Sequence, residues 1–227
     1  EVGPGTGALT FRLVSRVEKL LAIELDHELV LRLESQLTDS KKAVIVEGNV
    51  LDINLTELLQ TSGFFDQPYK IIANIPYYIT APIIRTLLSL SVQPQSLTLM
   101  VQNEVAERLA AKPGSMSLLS LMAQYYASVE KKIFVSKQAF DPIPKVDSAV
   151  IYIVPRRPYH PEEDHKVFRL ARAGFAARRK TLANNLSNAL HVPRVAVEAK
   201  LTLLGLAPLV RAQELSVEEW QALAEIM

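Results

Sequence analysis

Lys70-Ile-Ile-Ala-Asn-Ile-Pro-Tyr-Tyr78 is the stretch on which the reading of this chain turns. The apolar run Ile71-Ile72-Ala73 predicts a buried strand, and it breaks abruptly into Asn74-Ile75-Pro76-Tyr77. Pro76 cannot donate to a sheet ladder and biases Ile75 toward extended backbone, so the strand should end here. A side-chain amide, a backbone carbonyl and an aromatic ring would then stand together at a strand's carboxyl end, where open α/β sheets bind ligands. Such a set suits a flat, amine-bearing base. Asn74 Oδ1 and the Ile75 carbonyl can accept hydrogen bonds from an exocyclic NH2, while Tyr77 offers a face for stacking. Taken alone, Asn-x-Pro-Tyr is equally well a strand-end turn with a capping Asn.

Upstream, Glu1-Val-Gly-Pro-Gly-Thr-Gly-Ala-Leu-Thr10 places glycines at 3, 5 and 7 ahead of a helical pattern at Leu9, Leu13 and Val14. Glycines at a strand-to-helix turn permit positive φ and close approach of backbone to a ligand. The spacing Gly-x-Gly-x-Gly differs from the dinucleotide fingerprint Gly-x-Gly-x-x-Gly, which points away from NAD. Leu20-Leu-Ala-Ile-Glu-Leu-Asp26 is a buried-strand pattern ending in acid. Glu24 stands about twenty residues beyond the first glycine, where an acid would bind ribose hydroxyls. Asp26 is a candidate cap for the helix that follows. Because the chain opens on Glu1 inside a motif, a preceding segment is expected.

The pattern then alternates. His27 to Leu37 reads as an amphipathic helix, Ala43 to Val46 as a strand, Leu55 to Leu59 as a short helix, and Ile71 to Ala73 as a strand. Thr80-Ala-Pro82 opens another helix with proline in its first turn, and Leu97 to Val101 is a further strand, with Asn103 able to cap its helix. Strands alternating with helices at short intervals predict a doubly wound, largely parallel α/β sheet. Leu118 to Val129 is expected to run from helix into strand, and Lys145 to Val154 alternates as an edge or hairpin strand.

Composition excludes more than it assigns. The 227 residues include no cysteine, which removes disulfides, thiolate metal sites and thiol nucleophiles. The four histidines, at 27, 160, 165 and 191, show no metal-ligand spacing, so no metal site is expected. No apolar run approaches the roughly 20 residues of a membrane span, so no membrane partner is expected. A formal charge of +1 says little by itself, but its distribution is uneven.

Pro155-Arg-Arg-Pro-Tyr-His-Pro161 reads as a linker, dividing an α/β domain at 1–155 from a small all-helical domain at 156–227. Four helical segments are expected after it, near 162–177, 181–190, 193–203 and 216–226. Basic residues gather around this boundary. Arg178-Arg179-Lys180, with Asn184 and Asn185 nearby, could hold an RNA backbone by charge and amide hydrogen bonds. A solvated helix face explains the same residues about as well.

With the glycine turn and Asn74-Ile-Pro-Tyr77 taken together, the chain resembles the ribosomal RNA adenine dimethyltransferases, the KsgA and Erm group. Further similar stretches are Gln102-Asn-Glu-Val-Ala-Glu-Arg-Leu-Ala110, Met122-Ala-Gln-Tyr-Tyr126, Phe140-Asp-Pro-Ile-Pro-Lys-Val-Asp-Ser-Ala-Val150 and Ala176-Ala-Arg-Arg-Lys-Thr-Leu-Ala-Asn-Asn-Leu186. The Lys145-Val-Asp-Ser-Ala run is nearer the bacterial small-subunit branch than the Erm branch. The resemblance implies a Rossmann-like methyltransferase using S-adenosyl-L-methionine, acting in the cytoplasm as a monomer. Its implied substrate is 16S rRNA, dimethylated at N6 of two adjacent adenosines in the 3′-terminal hairpin.

By motif, Glu1, Gly3, Gly5, Gly7, Glu24, Asn49 and Asn74 would hold the cofactor. Glu24 would bind its ribose, and Asn49 stands where the family usually has an Asp bound to the cofactor adenine amine. Asn74, Ile75, Pro76, Tyr77 and Phe140 would surround the target base, and Arg178, Arg179 and Lys180 would meet the RNA. Asp147 and Lys145 are expected to organise the loop carrying Phe140, and Tyr125 and Tyr126 to pack. Asn49 and the stretch Ser115-Met-Ser-Leu-Leu-Ser-Leu121, which lacks the usual Tyr-Gly, depart from the pattern. In the family a segment before Glu1 carries Gln-Asn-Phe-Leu and most of the first strand, so this chain by itself is expected to bind cofactor weakly. Three other readings stay open: an Erm-type 23S rRNA methylase, a non-catalytic rRNA-binding assembly factor and a DNA adenine methyltransferase.

Overall fold

Helix and strand alternate through the first hundred residues as the apolar patterning predicts. In a computed structural model that describes residues 1–37 and 41–227, the order is α1 (Thr10–Val14), β1 (Leu20–Glu24), α2 (His27–Gln36), β2 (Ala43–Glu47), α3 (Leu55–Thr61), β3 (Lys70–Asn74), α4 (Thr80–Leu88), β4 (Ser96–Gln102) and α5 (Asn103–Leu109). There follow α6 (Leu118–Tyr126), β5 (Ala127–Val135), β6 (Ser148–Pro155), α7 (Pro161–Gly174), α8 (Leu182–Leu190), α9 (Arg194–Leu203) and α10 (Val217–Ile226).

The chain divides into two units: Glu1–Ala106 with Ser128–Pro158, and Glu107–Ala127 with Tyr159–Met227. In the first, β1 and β2 pair in parallel, and a four-stranded sheet runs β3-β4-β6-β5. β3 and β4 are parallel, whereas β6 runs antiparallel to β4, with Leu99 opposite Ile151 and Gln102 opposite Ser148. The fold is therefore Rossmann-like, with a sheet more mixed than the sequence pattern suggests. β6 is also internal, not an edge. Its alternation reflects two unlike faces, one of which buries Ala149, Ile151 and Ile153 completely.

Local chemistry sets the ends of these elements. Asp26 Oδ1 accepts from Glu28 N and Leu29 N at 2.9 and 3.1 Å, making it the N-cap of α2 as expected. Pro82 is tolerated because the first-turn amides of α4 lack helical partners anyway. Ile83, Ile84, Leu87 and Leu88 form the buried face of that helix.

The second unit is all helical apart from short turns, with a core built around Trp220, Leu170, Leu182, Leu186, Val197 and Leu201. Met116 and Leu121 belong to that core, and Gly114 N and Met116 N donate to Gln213 O at 2.8 and 3.2 Å. The 155/156 division drawn from the sequence thus misses one inserted stretch. Glu107–Ala127 packs with the helical unit, although the chain then returns to the sheet. Asp164, 1% exposed, fastens this stretch to α7 by accepting from Tyr125 OH at 2.9 Å, Tyr126 OH at 2.8 Å and His160 N at 2.8 Å. Burial first, and then the bond to Asp164, push the Tyr126 hydroxyl far above its ordinary pKa.

Replacing Asp164 by Ala strands two buried hydroxyl donors, those of Tyr125 and Tyr126, each costing about 1–3 kcal/mol, while the partly exposed His160 amide can turn to water. The Asp164→Ala protein is expected to lose at least about 2 kcal/mol in the helical unit. Urea unfolding followed by fluorescence of Trp220, the single tryptophan, measures this directly.

Candidate active site

The glycine turn, the end of β1 and the end of β3 gather on the carboxyl side of the parallel strands. Val2 bridges to Ile23 in parallel register, with Gly3 N donating to Ile23 O at 2.9 Å and Ile23 N to Glu1 O at 3.1 Å. Gly3, Gly5 and Gly7 all have positive φ, at 64°, 58° and 88°. A Cβ at Gly7 would stand 2.4 Å from Phe11 Cε2 and 2.8 Å from Leu33 Cδ2, so this glycine packs the turn against helices α1 and α2. A Cβ at Gly5 would meet nothing within 4 Å, leaving open space above the backbone there. A Cβ at Gly3 would come 3.9 Å from Pro76 Cδ, which brings the turn to the Asn74–Tyr77 stretch.

Glu24 is only 8% exposed. Its Oε2 accepts from Gly5 N at 2.9 Å, and its Oε1 accepts from Leu25 N and Asp26 N at 2.9 and 3.1 Å. Three of the roughly four lone-pair positions of the carboxylate are thus filled by backbone. One acceptor position remains on Oε2. Glu1 closes the same group, and burial first, with the charge of Glu24 adding, raises its carboxyl pKa.

Asn49 begins the turn after β2. Its Oδ1 accepts from Leu51 N at 3.1 Å and its Nδ2 donates to Asp52 Oδ2 at 2.7 Å. Asp52 is a partner that sequence reading did not single out; it follows the Asx turn in which Leu51 N donates to Asn49 Oδ1.

Asn74, the last residue of β3, is exposed, and its side-chain amide has no hydrogen-bond partner among the described residues. Ile75 is buried and anchors the backbone behind it. Tyr77 starts a 3-10 turn, Tyr77–Ile79, and its hydroxyl meets Ser148 Oγ, at the start of β6, at 2.6 Å. That bond fixes the ring while leaving its faces unstacked, because Tyr77 takes part in no ring contact. Phe140 is half-buried on the loop before β6. Asp147 organises that loop as expected, its Oδ1 accepting from Lys137 N at 2.9 Å and its carbonyl from Asn103 N at 2.9 Å. Ser148 was not legible as a site residue, since it stands 71 positions from Tyr77 with no local signal joining them.

Arg178, Arg179 and Lys180 are exposed in the turn between α7 and α8 of the helical unit, and do not lie on a helix face. Arg178 Nε donates to Gln213 Oε1 at 3.2 Å. Asn185 plays a different part from the one expected. It is buried and its Nδ2 donates to Gly174 O at 2.6 Å and Ala177 O at 3.1 Å, pinning the turn that carries the three cations.

The family model for ribosomal RNA adenine dimethylases matches residues 1–227. The chain belongs to this family. The ribosomal RNA small subunit methyltransferase A of Trichormus variabilis is 42% identical over 235 residues, covering 100% of this chain and 86% of that protein. The protein of the same name from Dehalococcoides mccartyi (strain CBDB1) is 39% identical over 225 residues, covering 98% of this chain and 76% of that one. Among solved structures, a dimethyladenosine transferase from Plasmodium falciparum aligns with a TM-score of 0.81 at 24% identity, over 98% of this chain and 86% of that one. The 23S rRNA methyltransferase ErmE aligns at 0.75 and 24%, over 99% and 88%. At that identity the two structures speak for the fold alone. As a ribosomal RNA adenine dimethylase, the protein is an enzyme, and S-adenosyl-L-methionine is its methyl donor.

The residues present fit such a donor. An open, positive-φ glycine turn lies over a carboxylate that keeps one free acceptor position, and an unpartnered amide stands at the next strand end.

Asn49→Asp puts two carboxylates where an amide now donates at 2.7 Å. One acid of the pair then has a folded pKa raised above its unfolded value of about 3.9. The folded state binds more protons than the unfolded one above that pH, so the penalty appears as pH rises and vanishes in acid. Because Asp52 is exposed, the loss at pH 7 relative to wild type is expected to be at most about 1 kcal/mol, read from urea midpoints at pH 4 and pH 7.

Proposed function

We propose that this enzyme dimethylates N6 of two adjacent adenosines in the 3′-terminal hairpin of 16S rRNA. The observation that carries the reading is the free Asn74 amide beside the rigid Ile75-Pro76-Tyr77 backbone at a strand's carboxyl end. The small-subunit names of the relatives, at up to 42% identity over the whole chain, favour 16S over 23S rRNA as the substrate.

In this reading Gly3, Gly5 and Gly7 let the backbone approach the methionine part of the cofactor, with Glu1 closing the turn. Glu24 contributes its remaining acceptor position to a ribose hydroxyl, and Asn49 Oδ1 faces the cofactor adenine. Asp52 draws on the other end of the Asn49 amide, which partly offsets the missing negative charge. The cofactor supplies an already activated methyl group on a sulfonium.

The adenine amine is a poor nucleophile because its lone pair is delocalised into the ring. Asn74 Oδ1 and the Ile75 carbonyl accept its two hydrogens and favour the pyramidal nitrogen whose lone pair can attack. Pro76 holds that backbone extended, at φ −58° and ψ 133°. Tyr77 and Phe140 hold the base once it has left its stack. Alignment of amine and methyl group then accounts for most of the rate gain, and no strong base is needed. Arg178, Arg179 and Lys180 neutralise phosphates and set the register of the RNA.

Transfer of labelled methyl groups from S-adenosyl-L-methionine to unmethylated small subunits tests the assignment. Dimethyladenosine in the 3′-terminal hairpin supports it, and label confined to 23S rRNA sinks it. In the same assay Asn74→Ala is expected to lower kcat by about a hundredfold or more while RNA affinity stays within about threefold. Equal losses in both would remove Asn74 from the reacting centre.

A further inference from the structure

Tyr78 is 80% exposed, more than any other large hydrophobic side chain among the described residues. It takes part in no hydrogen bond, ion pair or ring contact. Its backbone, by contrast, is held tightly. Ile75 before it and Thr80 after it are buried. Ile79 N donates to Pro76 O at 3.3 Å, and Thr80 Oγ1 donates to Tyr77 O at 3.2 Å and Pro76 O at 3.4 Å. The turn is a 3-10 turn, in which successive residues point about 120° apart. Tyr77 therefore reaches in to Ser148 while Tyr78 projects outward from the next Cα, about 3.8 Å away.

A bare aromatic ring on a braced turn exposes apolar surface at a cost that packing within the fold does not recover. With only two side-chain torsions, a tyrosine also loses little entropy on binding. Its neighbour along the chain is the ring that faces the target base in the reading given above, on which this inference rests. When one base leaves its stack, the next nucleotide on the same strand loses a stacking partner on one face. That face needs an aromatic surface just outside the pocket.

We infer that Tyr78 is that surface: its ring stacks on the nucleotide adjoining the target adenosine and positions the RNA strand for transfer. The ring is sequence-tolerant by nature, since every base has a π-face, so Tyr78 sets register and not base identity. Because Tyr78 is largely exposed and makes no hydrogen bond, ion pair or ring contact within the fold, its replacement is expected to leave the scaffold intact.

The test uses the full protein with S-adenosyl-L-methionine and two substrates, unmethylated small subunits and the naked hairpin RNA, comparing wild type, Tyr78→Phe and Tyr78→Ala. For Tyr78→Ala, KM for both RNAs is expected to rise about tenfold, which is about 1.4 kcal/mol and within the range of base–aromatic stacking. kcat at saturation should change less than about twofold, and Tyr78→Phe should behave as wild type. A 2-aminopurine placed next to the target adenosine should be quenched by wild type and Tyr78→Phe but not by Tyr78→Ala. Wild-type transfer with unchanged KM in Tyr78→Ala overturns the inference and leaves the function standing. A Tyr78→Phe defect equal to that of Tyr78→Ala overturns it by assigning the effect to the hydroxyl. A defect confined to assembled subunits overturns it in favour of a protein contact. If wild type transfers no label to adenosine N6, both readings fall.

Discussion

One carboxylate holds the candidate site together. Glu24 takes the backbone amide of Gly5 on one oxygen and those of Leu25 and Asp26 on the other, while its own carbonyl accepts from Gly48 N at 2.7 Å. It thereby joins the glycine turn, the exit of β1 and the exit of β2. A turn with three glycines at positive φ is costly to order, because glycine loses more freedom on folding than any other residue. Bonds from backbone amides to an ionised acceptor are about twice as strong as neutral ones, and they offset that cost where the turn needs it. The position of Gly3 beside Pro76, and so the meeting of the two motifs, depends on this arrangement.

What the sequence made legible was local. The apolar runs gave the strands, the i, i+4 stripes gave the helices, and Asp26 announced its own cap, because each is decided by residues a few positions apart. Interactions across long separations were not legible. Nothing near Tyr77 points to Ser148, and nothing in Leu118–Tyr126 announces that its tyrosines end on Asp164, 38 and 39 residues away. The inserted stretch Glu107–Ala127 was not legible for the same reason. A linker rich in Pro and Arg marks where the chain leaves the sheet for the last time, but an earlier excursion from Glu107 to Ala127 has no such mark. Its membership is decided by whether Met116 and Leu121 find an apolar core.

The stretch around Arg178-Arg179-Lys180 separates two roles that look alike in sequence. Charged side chains and amides close together suggest one polar surface. In the fold they part company. Asn185 spends both amide hydrogens on backbone, bonding Gly174 O at the end of α7 and Ala177 O in the turn beyond it. The cations, fixed in place by that anchor, stay in solvent. A buried amide bonded to backbone thus anchors the turn on which three consecutive charges stand exposed.

The proposed reaction explains why the site contains so little charge near the target base. Asn74, Tyr77 and Phe140 are an amide and two aromatic rings, and the Ile75 carbonyl is backbone. Transfer of an activated methyl group to an aryl amine needs geometry more than proton abstraction, since the amine can lose its proton after the bond has formed. A site of that kind gains from stiffness. The fold supplies it through Ile75 buried behind the strand end, Pro76 with its fixed φ, the Tyr77–Ser148 bond and the two bonds from Thr80 Oγ1. All of them act on the same short segment, Ile75 to Thr80. In the proposed reaction the catalytic burden therefore rests on how little that segment can move, and the side chains assigned to the base depend on others that would never touch it.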